Sequence, residues 1–89
     1  MSKVIRETLL KADSKKQAFY KLTIEEISDG FVIRKESGAG EKVLHKEFYY
    51  RDLLEDANEF HQRKIQEKTG ENRKRVYCVV YDHKIKVAA

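Results

Sequence analysis

Apolar and polar residues alternate cleanly in parts of this chain, and those parts predict its first elements. From Phe19 to Ile27 the run FYKLTIEEI puts Tyr20, Leu22 and Ile24 on one face by period two, with Phe19, Lys21, Thr23 and Glu25 on the other. That is the pattern of a half-buried strand. Ser28-Asp29-Gly30 supplies residues for a tight reversal, and Phe31-Val32-Ile33-Arg34-Lys35 reads as the hairpin partner. Gly38-Ala39-Gly40 closes the next loop. Val43 to Tyr50 then alternates Leu44, Lys46, Phe48 and Tyr50 against Val43, His45, Glu47 and Tyr49, a third strand whose pattern leaves open which face is buried.

The period changes after Tyr50. Asp52 followed three residues later by Glu55 has the form of a capping box, in which each side chain satisfies a backbone donor at a helix start. Leu53, Leu54, Ala57, Phe60, His61 and Ile65 recur at spacings of three and four and form one apolar stripe. Gly70 after Thr69 suits a left-handed C-cap, so the helix runs about 17 residues, or ~25 Å. Val76 to Tyr81 is β-branched and aromatic, as expected of an interior strand with core on both faces. The first ten residues, with Val4, Ile5, Leu9 and Leu10, predict an edge strand. The fold class expected is α+β: a twisted antiparallel β-sheet, order β-β-β-β-α-β, with one long helix packed across one face.

Composition narrows the function. With 89 residues the chain forms a single domain over positions 1–89, large enough for one core and too small for a large enclosed substrate cavity. Five Tyr and four Phe argue for a packed core, although 38% of residues are charged. The sequence has no run of about 18 apolar residues and no apolar leader stretch, so an intracellular, cytoplasmic protein without a membrane partner is expected. Cys78, the lone cysteine, sits in VYCVVY and reads as a buried small hydrophobe.

Catalysis needs convergent groups with tuned pKa values, and the sequence offers none. His45, His61 and His83 fall on a strand, a helix and the C-terminal tail without metal-ligand spacing, and His61 reads as a helix-surface or core-edge residue. The expectation is no enzyme, no metal and no cofactor. Gly38-Ala39-Gly40 lacks the Lys-Ser/Thr and the following helix of a phosphate loop and reads as a hairpin turn.

The net charge of +4 fits a nucleic-acid or acidic partner without requiring one. Arg63, Lys64, Lys68, Arg73, Lys74 and Arg75 face only Glu67 and Glu71 in RKIQEKTGENRKR, the strongest local excess. Those cations also complement the helix C-terminal dipole, so a solvated rim and a phosphate-contacting patch both fit. Arg34, Lys35 and Lys42 form a second basic group around the glycine loop, offset by Glu36 and Glu41.

Three stretches together resemble the WGR domain known from poly(ADP-ribose) polymerases and from short bacterial proteins. Ala18-Phe19-Tyr20-Lys21-Leu22 is similar to the family's N-x-F/Y-Y-x-L strand. Phe31-Val32-Ile33-Arg34 runs into a small-residue loop, and Phe60 through Glu67-Lys68-Thr69-Gly70 is similar to its helix ending F-x-x-K-x-x-E-K-T-G-N. The likeness covers roughly residues 4–82 and implies a twisted antiparallel sheet crossed by one helix, and DNA binding. Where the family carries Trp-Gly-Arg-Val-Gly, this chain has Glu36-Ser37-Gly38-Ala39-Gly40, so only the last glycine matches. Glu36 and Gly38 supply neither the stacking platform nor the contact that the family's Trp and Arg provide. Arg73-Lys74-Arg75 stands where the family has an aromatic, which points to a nucleic-acid contact at the helix end.

The sequence thus predicts a non-catalytic module that binds nucleic acid, DNA first, through phosphates. Its candidate contacts are Arg34, Lys35, Lys42, Arg63, Lys64, Lys68, Arg73, Lys74 and Arg75. The alternative is a protein-interaction or homodimerising module using a sheet edge or face, because Phe48, Tyr49 and Tyr50 in a row must leave at least one ring on the surface.

Overall fold

The computed structural model describes residues 3–12, 15–70 and 77–84. They form strands β1 (Lys3–Ala12), β2 (Ala18–Ile27), β3 (Gly30–Ala39) and β4 (Lys42–Arg51), helix α1 (Leu54–Thr69) and strand β5 (Tyr77–Lys84). The strands make one antiparallel sheet in the order β4-β3-β2-β1-β5, with α1 against one face. This is the expected α+β architecture.

Alternation decides what the helix covers. Tyr20, Leu22 and Ile24 of β2 are fully buried and meet Leu10 of β1 and Ile33 of β3 from the sheet side. Ala57 and Ile65 close this core from the helix, while Leu54 and Phe60 pack at its margin beside Phe31 and Tyr49. Leu53, assigned to the same stripe from its spacing, instead lies one residue ahead of the helix and is exposed.

Both helix ends depart from expectation. Leu53 is the N-cap and makes no side-chain capping hydrogen bond, so the Asp52–Glu55 box does not form. Acidic Glu55 and Asp56 still face the positive end of the dipole, and Ala57 N–H donates to the Leu53 carbonyl at 3.1 Å. Gly70 is extended at φ −67°, ψ 143° and not left-handed. The last turn is closed by the Thr69 hydroxyl, which donates to the Ile65 carbonyl at 2.9 Å.

The outer strands also exchange roles. β1, expected at an edge, lies between β2 and β5, and β5, expected inside, is the edge. The helix packs over β2 to β5, and β5 pairs with the side of β1 that β2 leaves open. Tyr77 alone of β5 is buried, edge-on to Tyr20 with ring centroids 6.2 Å apart, whereas Cys78, Val79 and Val80 are exposed. The lone cysteine is therefore a surface thiol and not a core residue. β-Branched composition reports fit to a pleated surface, not position within the sheet.

Both glycine-bearing turns are hairpins. Ala39 pairs with Lys42 across Gly40-Glu41, and Gly40 takes φ +61°, a conformation that glycine adopts without strain. At Gly38 a Cβ would run into the Lys42 carbonyl, because the register slips there and Leu44 becomes an extra residue in β4.

Candidate nucleic-acid interface

The six candidate cations among the described residues do not form one patch. Arg34 points to the sheet face away from the helix, level with Thr23 and Phe48, and is held by Glu25 at 2.9 Å and Glu36 at 3.1 Å. Two carboxylates on one guanidinium leave little field for a phosphate. Lys35, its neighbour, points to the opposite face. Lys42 stands exposed at the β3–β4 hairpin tip. Arg63 lies on the outer side of α1, paired with Glu59 at 3.1 Å. Arg73, Lys74 and Arg75 lie outside the described residues.

The other three converge. Lys35 of β3 places Nζ 5.1 Å from the centre of the Tyr20 ring, and Lys68 of the last helical turn places its Nζ 4.9 Å from the same ring and 5.8 Å from that of Tyr77. Lys64, one turn earlier, stands 5.5 Å from the centre of Phe60, which packs on Tyr49 with centroids 4.6 Å apart. The lysines thus line the seam between the C-terminal half of α1 and strands β2 to β4. They arrive there by period: Lys64 and Lys68 are one turn apart, and Lys35 shares the helix-side face with Ile33.

Two glutamates share this seam. Glu47 lies 3.4 Å from Lys35 and accepts a hydrogen bond from the Tyr49 hydroxyl, which together with Lys35 holds its carboxyl below the usual range. Glu67 lies 3.5 Å from Lys64. Both contacts are long and wet, so they hold the lysines weakly and yield to a stronger anion. The Tyr20 hydroxyl is buried beneath the cluster without a hydrogen-bond partner among the described residues, and burial raises its pKa.

A second constellation escaped the sequence reading because its members lie far apart in the chain. Arg6 is buried on the helix side of β1 and donates from Nε and Nη2 to the two carboxylate oxygens of Asp82 of β5, at 3.1 and 2.8 Å. Its guanidinium also donates to Gln62 at 3.1 Å and Asn58 at 3.4 Å on α1. The Thr8 hydroxyl donates to Asp82 at 2.8 Å and lies 2.7 Å from His61 Nε2. A hydroxyl has one proton, and Asp82 takes it, so His61 must donate from Nε2 and leave Nδ1 bare. That Nδ1 is buried without a partner among the described residues, and burial together with the nearby Arg6 charge pulls the His61 pKa down to about 4. Arg6 and Thr8 hold Asp82 near 2. The arrangement ties β1, β5 and α1 together from within. Its signal in the sequence is Arg6-x-Thr8-x-Leu10, a period-two run that aims polar groups at the core and calls for polar partners.

Among the described residues no three His, Cys, Asp or Glu side chains assemble into a metal set, and no helix is long and apolar enough to cross a membrane. No family model matches the sequence, and neither a curated protein nor a solved structure matches the chain. The WGR likeness therefore stands on its three sequence stretches.

Proposed function

We propose that this chain is a non-catalytic binding module that holds nucleic acid, DNA first, through phosphate contacts at the helix–sheet seam. The supporting observation is the convergence of Lys35, Lys64 and Lys68 around Tyr20 and Phe60. Ammonium groups at three points on one rim can follow a phosphate backbone, a contact that positions the module without reading sequence. Arg34 is left out of this contact set because it faces the other way, between two glutamates. The WGR resemblance supports the same class of ligand.

Fluorescence anisotropy of labelled duplex, nicked and single-stranded DNA tests the reading. If about three phosphates are neutralised, log affinity on duplex falls with log salt at a slope of about −3. Lys64→Glu with Lys68→Glu is expected to remove most of the binding. Lys11→Glu with Lys46→Glu changes net charge equally on the opposite side of the sheet and is expected to weaken it only slightly. Equal loss in both double variants would mean that overall charge, and not the seam, attracts the DNA; no binding even at low salt would remove the nucleic-acid reading.

A further inference from the structure

Of the seven large apolar side chains exposed among the described residues, five are Val43, Leu44, Phe48, Tyr50 and Leu53, on β4 or within two residues of its end. β4 is also an outer strand of the sheet, so one row of its backbone N–H and C=O groups faces away from β3. Such an edge is a template for another strand unless a bulge, a charge or a covering segment blunts it. The hairpin end of β4 is blunted, since the register slips beside Gly38 and Leu44 bulges out. From His45 to Arg51 the pairing with β3 is unbroken. Phe48, with 64% of its surface exposed, is the midpoint of that regular stretch.

We propose that β4 pairs antiparallel with β4 of a second copy of this chain about a two-fold axis through Phe48, fusing two sheets into one. In that register Phe48 meets its own copy, and Lys46 lies opposite Tyr50. Glu47 lies opposite Tyr49, and His45 opposite Arg51. Directly opposite residues share a face and come within contact distance, so Phe48 and its copy cover each other while each Lys46 ammonium reaches a Tyr50 ring. Glu47 lies diagonal to the copy's Arg51. An axis at Lys46 or at Glu47 would set a charge directly against itself, which is destabilising. An axis at Tyr49 avoids that clash but runs off the strand past Arg51 and leaves His45 and Lys46 without a partner strand. The whole regular stretch is used only when the axis passes through Phe48. This inference is independent of the nucleic-acid reading.

Sedimentation equilibrium of the full chain over a wide dilution series tests it. The expected species is a dimer of twice the 10.5 kDa chain mass that dissociates on dilution. Phe48→Lys sets two ammonium groups on the axis and is expected to give monomer throughout, with an unchanged far-UV circular dichroism spectrum because that side chain lies outside the core. Val80→Lys, on the opposite edge of the sheet, is expected to leave the dimer intact. In the unaltered protein, amide exchange across residues 45–51 is expected to slow as concentration rises while that of β5 does not, a readout that needs no variant. A monomer at every concentration, a dimer that survives Phe48→Lys, or protection gained at β5 in place of β4 would overturn the proposal.

Discussion

His61 shows how much one buried side chain can carry. Its imidazole is enclosed, neutral, and donates through Nε2 to Thr8, with a pKa near 4 in the fold against 6.5 when free. The unfolded chain therefore binds a proton between these values that the folded chain refuses. Stability is fully present above about pH 6.5, declines as pH falls toward 4, and is not lowered further by this group below that. The shift corresponds to about 3 kcal/mol at most. Urea unfolding of the parent and of His61→Gln, whose amide keeps a donor but does not titrate, is expected to show this slope in the parent alone. Gly38 is the second residue of this kind: a methyl group there meets the Lys42 backbone, which cannot swing aside as a side chain would. Gly38→Ala is expected to lower stability by about 1–3 kcal/mol, seen as a lower urea midpoint at unchanged slope. Neither effect is legible in the sequence. His61 reads as a helix residue near an apolar stripe, and Gly38 as one of three small residues in a turn.

At the scale of the element, β5 is held by polar chemistry more than by its own apolar side chains. Only Tyr77 enters the core; Asp82 supplies the clamp, through Arg6 and Thr8. Asp82→Asn keeps the shape, removes the charge and leaves a buried guanidinium without its counter-ion. The expected loss is about 2–3 kcal/mol, less than for a fully enclosed pair because 27% of the Asp82 side chain is exposed. Native-state hydrogen exchange is expected to register it first in β5, with β2 and β3 little changed. The same clamp explains why strand positions were harder to read than strand existence. Tyr20, Leu22 and Ile24 announce β2 by alternation, and Leu54 through Ile65 announce the helix by period. The run from Tyr77 to Tyr81 looks like an interior strand because its residues suit any pleated surface, while the evidence that it pairs with β1 is split between Arg6 and Asp82, 76 positions apart.

For the molecule as a whole, the two faces of the sheet differ in kind. The helix side holds the core, the buried polar clamp and the lysine seam. The opposite side is a surface of paired charges, with Lys21 to Glu7 at 3.2 Å and Arg34 between Glu25 and Glu36, flanked by Phe48 and Tyr81. Sequence alone assigned nine basic residues to one function; the alternation along β3 turns two of them, Arg34 and Lys35, to opposite faces. Composition is blind to such facing, whereas the period of each element contains it once the covered side of the sheet is known. The strand order has one more consequence, felt while the chain is being made. β1 is synthesised first among the strands and flanked by β2 almost at once, but its other neighbour, β5, emerges last. Throughout translation of the intervening hairpins and helix, β1 offers an open edge with Arg6 lacking its carboxylate, so the nascent chain passes through a stage at which a foreign strand could occupy the place reserved for its own last one.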